Sequence, residues 1–161
     1  MKSSFHRQLR RVFGYALLML GFAAYSASEA GASVSSITID AASGEVLSSS
    51  AADTLRYPAS LTKVMTLYIT FDALEKGIIK LDDKLPVSRH AANRSPSKLG
   101  LRAGSSIDVK TCIMAVIVKS ANDCATVLAE GLGYSEENFA KSMTRVSREL
   151  GMKNTTFKNA S

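Results

Sequence analysis

Tryptophan is absent from this chain, and cysteine, histidine and proline are scarce at two, two and three residues. These scarcities exclude several kinds of chemistry. His6, His90, Cys112 and Cys124 form no cluster with metal-ligand spacing, so neither a metal nor a cofactor is expected. Excess charge is modest. The net +6 is half accounted for by residues 1–32, and the remainder holds 16 basic against 13 acidic residues. Without aromatic and basic residues interleaved, nucleic acid is not an expected partner. No internal repeat or low-complexity tract breaks the chain.

A long apolar run is also missing. Val12 to Tyr25 falls short of the about 20 apolar residues that span a bilayer. It follows Lys2, Arg7, Arg10 and Arg11 and precedes small residues ending in Ala30-Gly31-Ala32. A basic head, a short apolar core and a small-x-small site describe a secretory leader. Residues 1–32 are therefore expected to be a signal peptide cut after Ala30 or Ala32, with an uncleaved anchor as the alternative. Either way the chain is exported. In an oxidising compartment Cys112 and Cys124 could pair. Two buried free thiols is the expectation, because free cysteine is among the most buried residue types.

What is present centres on Tyr57-Pro58-Ala59-Ser60-Leu61-Thr62-Lys63, which opens the apolar stretch Val64 to Ile69. Residues three apart share a helix face about 5–6 Å apart at Cβ, so the Lys63 amine can reach the Ser60 hydroxyl. Serine is a weak nucleophile until a base stands beside it, and lysine is a useful base once burial lowers its pKa. The one charge between Val64 and Ala73, Asp72, lies too far along the helix to pair with Lys63. Ser60 as a plain helix N-cap is the competing reading. A second Ser-x-x-Lys, Ser95-Pro96-Ser97-Lys98, shows how little the spacing alone means; its proline and the following Gly100 mark it as surface loop.

A second motif changes the balance. Lys119-Ser120-Ala121-Asn122-Asp123 breaks the apolar run Cys112 to Val118, and Ser-x-Asn occurs once in the chain. In an extended or tight-loop triplet, alternate side chains point one way, so the Ser120 hydroxyl could pass a proton while the Asn122 amide holds a substrate backbone. A helix cap at Ser120 or Asn122 is the alternative. In this order, and with Ile39-Asp40-Ala41, Ser43-Gly44-Glu45-Val46-Leu47, Ser97-Lys98-Leu99-Gly100-Leu101 and Leu150-Gly151-Met152 around them, the motifs resemble the low-molecular-weight serine-type D-alanyl-D-alanine carboxypeptidases, penicillin-binding proteins of the peptidase S11 type. The likeness runs over residues 34–161.

That resemblance implies an enzyme of the cell envelope or periplasm that trims the terminal D-alanine from peptidoglycan stem peptides ending in D-Ala-D-Ala. β-Lactams would be its inhibitors, and it would work at or near a membrane surface. It implies Ser60 as nucleophile, Lys63 as general base, Ser120 as proton relay and Asn122 as a substrate-binding residue. It implies an α+β fold of β-lactamase/transpeptidase type. Residues 33–161 would supply the first two sheet strands and most of the helical lobe, the N-terminal part of the catalytic domain. Family members continue with Gly-Leu and about as much chain again, and no Lys-Thr-Gly occurs in these residues. The expectation is thus a fragment of a carboxypeptidase. An inactive truncated remnant or substrate-binding relic is one alternative. A serine β-lactamase is another, although no Glu-x-x-Leu-Asn, the deacylating signature of that class, is present.

Local patterns predict a hairpin across Ala41-Ala42-Ser43-Gly44 and a helix from about Ser60 to Lys76 stopped by Gly77. Mostly loop is expected over Leu81–Arg102, then a helix from Ser105 or Ser106 with Asp108 to about Lys119, although Val109, Ile113, Val116, Ile117 and Val118 give strand propensity too. A short helix, Cys124–Glu130, should end at Gly131 and Gly133. A last helix capped by Ser135 should bury Phe139, Met143, Val146 and Leu150.

Overall fold

The computed structural model describes residues 34–161; the proposed leader lies outside the described residues. Two compact units follow each other along the chain, divided after Thr54. The first holds an antiparallel hairpin of β1 (Ser36–Ile39) and β2 (Val46–Ser50), with Ile37 opposite Ser49 and an irregularity between Thr38 and Ile39. Asp40 organises its turn. One carboxylate oxygen accepts from Ala42 N at 3.1 Å, Ser43 N at 2.7 Å and Ser43 Oγ at 2.8 Å. These bonds, the Ser43 backbone first, hold the Asp40 pKa below its ordinary value. Gly44 then takes φ +75°, which glycine adopts without penalty.

The second unit, Leu55–Ser161, is built around a helix that is buried on nearly every side. The elements are a 3-10 turn (Ala59–Leu61), α1 (Thr62–Glu75), β3 (Lys84–Pro86), α2 (Arg89–Ala92), β4 (Ser106–Asp108), α3 (Val109–Lys119), α4 (Asn122–Gly133) and α5 (Glu136–Glu149). In α4, Asp123 through Ala129 are all buried. A helix apolar around its circumference needs neighbours around its circumference, and α1, α2, α3, α5 and β3 all contact it.

Helix α1 ends as expected, with Gly77 at φ +67°. Its faces are less expected. The buried side carries Lys63, Thr66, Thr70 and Ala73 with Met65, whereas Leu61 just before it and Val64, Tyr68 and Phe71 along it are exposed. The buried threonines satisfy themselves on carbonyls: Thr66 Oγ1 donates to Ala160 O and Thr70 Oγ1 to Thr66 O, both at 2.7 Å. Apolar residues spread around most of the helix give no clear period from which the buried face could be chosen, and α1 is buried on one side only.

Four further expectations need correction. The stretch read as loop contains α2 and pairs part of itself into a small antiparallel sheet, β3 with β4, Leu85 opposite Ile107. The helix expected from Ser105 starts at Val109, because Asp108 stays extended and its carboxylate caps Thr111 N at 2.7 Å. The short helix runs on through Gly131 to Gly133. Those glycines are spacers: a Cβ on Gly131 would lie 2.9 Å from a Leu85 methyl, and one on Gly133 2.8 Å from the Phe139 backbone nitrogen. Ser135 caps α5 through Asn138 N at 3.2 Å as read, but Leu150 falls past the helix end and is exposed, and Ser147 holds the inward position. Among the described residues no helix is long and apolar enough to cross a membrane.

Gly133→Ala is expected to destabilise the protein by about 1–3 kcal/mol, since the methyl would meet backbone that cannot yield. Gly131→Ala meets the tips of a flexible leucine and should cost less. Urea midpoints of the two variants compare them, and equal midpoints would contradict this packing.

Candidate active site

Ser60 sits in the 3-10 turn that leads into α1, preceded by Ala59 in the left-handed region at φ +48°. No side chain caps α1, so the N-cap reading of Ser60 does not hold. Its hydroxyl is instead shared between two other groups. Lys63 Nζ donates to Ser60 Oγ at 3.3 Å, and Ser120 Oγ donates to it at 3.0 Å from sixty residues away. Ser60 is exposed and Ser120 half-buried, while Lys63 is only 4% exposed. The hydroxyl faces solvent and the amine stands behind it, out of water.

Among the described residues, no carboxylate lies within ion-pair distance of Lys63. Burial, and secondarily the Arg94 guanidinium, pushes the Lys63 pKa down from its ordinary value. Both effects favour the free amine, the form that can accept a proton.

Arg94 is held by Glu136, a buried first-turn acid of α5 that the sequence reading did not single out. Glu136 Oε1 accepts from Arg94 Nη2 at 3.3 Å, Thr126 Oγ1 at 3.2 Å and Ala160 N at 3.1 Å, and Oε2 faces His90 Nε2 at 2.5 Å. Burial alone would raise its pKa; the His90, Ala160 and Arg94 contacts outweigh burial and hold it low. Ala160 in turn receives the Thr66 hydroxyl, so this carboxylate is tied to α1 one turn past Lys63.

The Ser-x-Asn triplet forms the junction of α3 and α4. Neither Ser120 nor Asn122 caps α4 with its side chain; the N-cap is Ala121, which has no capping side chain. Asn122 Nδ2 donates to Ser95 O at 3.0 Å, leaving its second N–H and its Oδ1 for other partners. The second Ser-x-x-Lys is a surface loop as expected, with the Lys98 amine on Ala92 O rather than on a serine. It nevertheless packs on the motif. Asp123, wholly buried, gathers Leu99, Gly100 and Leu101 N–H groups at 2.8–3.0 Å and that of Cys124 at 2.9 Å. Burial works to raise the Asp123 pKa, and these four donors overcome it. Cys112 and Cys124 are free and buried, as expected; their mutual contact and burial push the Cys112 thiol up. Among the described residues no cluster of three or more metal-binding side chains exists.

A serine hydroxyl between a buried amine and a second hydroxyl is an arrangement chemically suited to acyl transfer. The family model for peptidase S11, D-alanyl-D-alanine carboxypeptidase, matches residues 23–161. This chain belongs to the D-alanyl-D-alanine carboxypeptidase family. It is 39% identical over 125 residues to D-alanyl-D-alanine carboxypeptidase DacF of Bacillus subtilis strain 168, covering 78% of this chain and 32% of that protein. Among solved structures, the carboxypeptidase DacD from Francisella tularensis matches at TM-score 0.77 and 33% identity, over 81% of this chain and 32% of that one. Penicillin-binding protein 5 from Haemophilus influenzae matches at 0.75 and 33%, over 78% and 38%. The chain thus spans about a third of the length of the curated relatives it matches. The mixed helix-and-strand architecture agrees with the α+β transpeptidase-type fold expected.

Arg94→Gln is expected to raise the Lys63 pKa. Removing a cation makes protonating the neighbouring amine easier, so the shift is upward. A 13C titration of the Lys63 Cε resonance reads it directly; an unchanged or lowered midpoint would contradict the electrostatic role of Arg94.

Proposed function

We propose that this chain carries the acylating machinery of a serine-type D-Ala-D-Ala carboxypeptidase, with Ser60 as the nucleophile. The observation that supports this most is the position of Ser60 Oγ, 3.3 Å from the Lys63 amine and 3.0 Å from the Ser120 hydroxyl. In the first step Lys63 takes the Ser60 proton as Oγ attacks the carbonyl between the two terminal D-alanines of a stem peptide. The Ser60 backbone N–H is one oxyanion donor, a type of contact worth on the order of 10²–10³ in rate. As the C–N bond breaks, Ser120 hands a proton to the departing amine, so that on balance the Ser60 proton leaves with D-alanine. Water then hydrolyses the ester and restores Ser60.

Asn122, with one N–H engaged by Ser95 O, has its carbonyl and second N–H to orient the peptide. A penicillin would acylate Ser60 by the same route, because its strained amide presents a carbonyl with a nitrogen leaving group. The site of action is the cell envelope, reached by export through the leader in residues 1–32, and the membrane surface there is the boundary at which stem peptides are met.

Ser60→Ala should abolish labelling by a fluorescent penicillin, and Ser95→Ala should leave it intact. Lys63→Arg should be nearly as damaging as Lys63→Ala, because arginine keeps the charge but does not deprotonate in a protein. Gel fluorescence after timed labelling measures all four. Labelling that needs Ser95 rather than Ser60, or that survives Lys63→Arg within about tenfold of wild type, would overturn the assignment.

A further inference from the structure

Ser120 occupies an unfavourable backbone conformation, and the loop that looked like a spurious motif holds it there. At φ +54° and ψ +39° Ser120 lies in the left-handed region, which costs a non-glycine residue about 1–2 kcal/mol. Glycine is the usual residue where a helix ends this way. A serine here carries that cost, so something must hold the turn. The N–H groups of Ser120 and Ala121 both return to Ala115 O, which closes the end of α3. The other restraints come from across the junction. Ser97 Oγ donates to Lys119 O at 2.7 Å, and Ser97 O accepts from Asn122 N at 2.7 Å. One residue therefore grips the backbone on both sides of Ser120. Asp123 anchors the same loop from within through Leu99, Gly100 and Leu101, and Ser95 O takes the Asn122 amide.

We infer that Ser97 is a positioning residue for proton delivery: its hydroxyl and carbonyl fix the Ser120 turn so that the Ser120 hydroxyl stays within reach of Ser60. Ser97 makes no contact with Ser60 or Lys63 among the described hydrogen bonds, so it acts only through Ser120 and its neighbours. The inference rests on the reading of Ser120 as the proton relay proposed above.

The chemistry supplies a selective test. Cleaving an amide or a β-lactam requires that the nitrogen gain a proton as the C–N bond breaks. Cleaving the matching thiolester releases a thiolate that leaves without one, the Ser60 proton remaining on Lys63. A misplaced Ser120 should therefore slow nitrogen leaving groups and spare sulfur ones.

The experiment compares a fluorescent penicillin, a peptide ending in D-Ala-D-Ala and its terminal thiolester analogue on the full chain. Ser97→Ala should slow the penicillin and the peptide by about tenfold, the scale of one lost hydrogen bond, and change the thiolester by less than about twofold. Ser97→Thr keeps the hydroxyl and should recover most of the loss. Ser120→Ala serves as the reference and should show the same selectivity more strongly. If Ser120→Ala slows all three substrates alike, the relay reading of Ser120 falls. If Ser120→Ala is selective and Ser97→Ala is not, or if Ser97→Thr fails to recover, the role of Ser97 falls.

Discussion

The buried amine of Lys63 is the constraint around which this part of the molecule is arranged. A lysine out of water must lose its charge, find a carboxylate or carry a large desolvation cost. Here no carboxylate is within ion-pair reach among the described residues, the nearest partner is a neutral hydroxyl, and a guanidinium adds repulsion. The free base is thereby favoured before any substrate arrives. The carboxylates that surround the site are kept occupied elsewhere: Asp123 by four backbone donors, Glu136 by Arg94, His90, Thr126 and Ala160.

Rigidity of the second hydroxyl follows from the same economy of partners. Ser60 is placed by sequence-local geometry, a turn and three residues of helix. Ser120 is placed by long-range contacts, the end of α3, the start of α4 and the 95–101 loop. The site thus joins one locally fixed group to one held by tertiary structure. Disturbance of the loop should reach Ser120 first, while the Ser60–Lys63 pair depends on α1 and on its link through Ala160 to Glu136.

Legibility in the sequence followed this division. The two motifs marked Ser60, Lys63 and Ser120 as residues that could meet, and the structure brings those three together; the hairpin turn, the Gly77 stop and the Ser135 cap were read from local backbone preferences. The 95–101 loop was readable only as exposed chain, because its function lies in carbonyls and N–H groups that every sequence has. Arg94 and Glu136 were not singled out, since nothing local shows that partners come from sixty-seven and forty-six residues away. The β3–β4 pair was missed for the same reason, and Gly131 and Gly133 looked like stops because their close neighbours, Leu85 and Phe139, are not visible in a one-dimensional pattern.

The account stands or falls on a neutral Lys63 serving as the base for Ser60. The most direct measurement follows, in one sample across pH, the rate of Ser60 acylation by a penicillin and the 13C titration of Lys63 Cε. The rate should climb with pH along the deprotonation of Lys63, the two midpoints coinciding below the ordinary lysine value. A rate that stays flat through the Lys63 titration, or a Lys63 that titrates as an ordinary surface lysine, would contradict it.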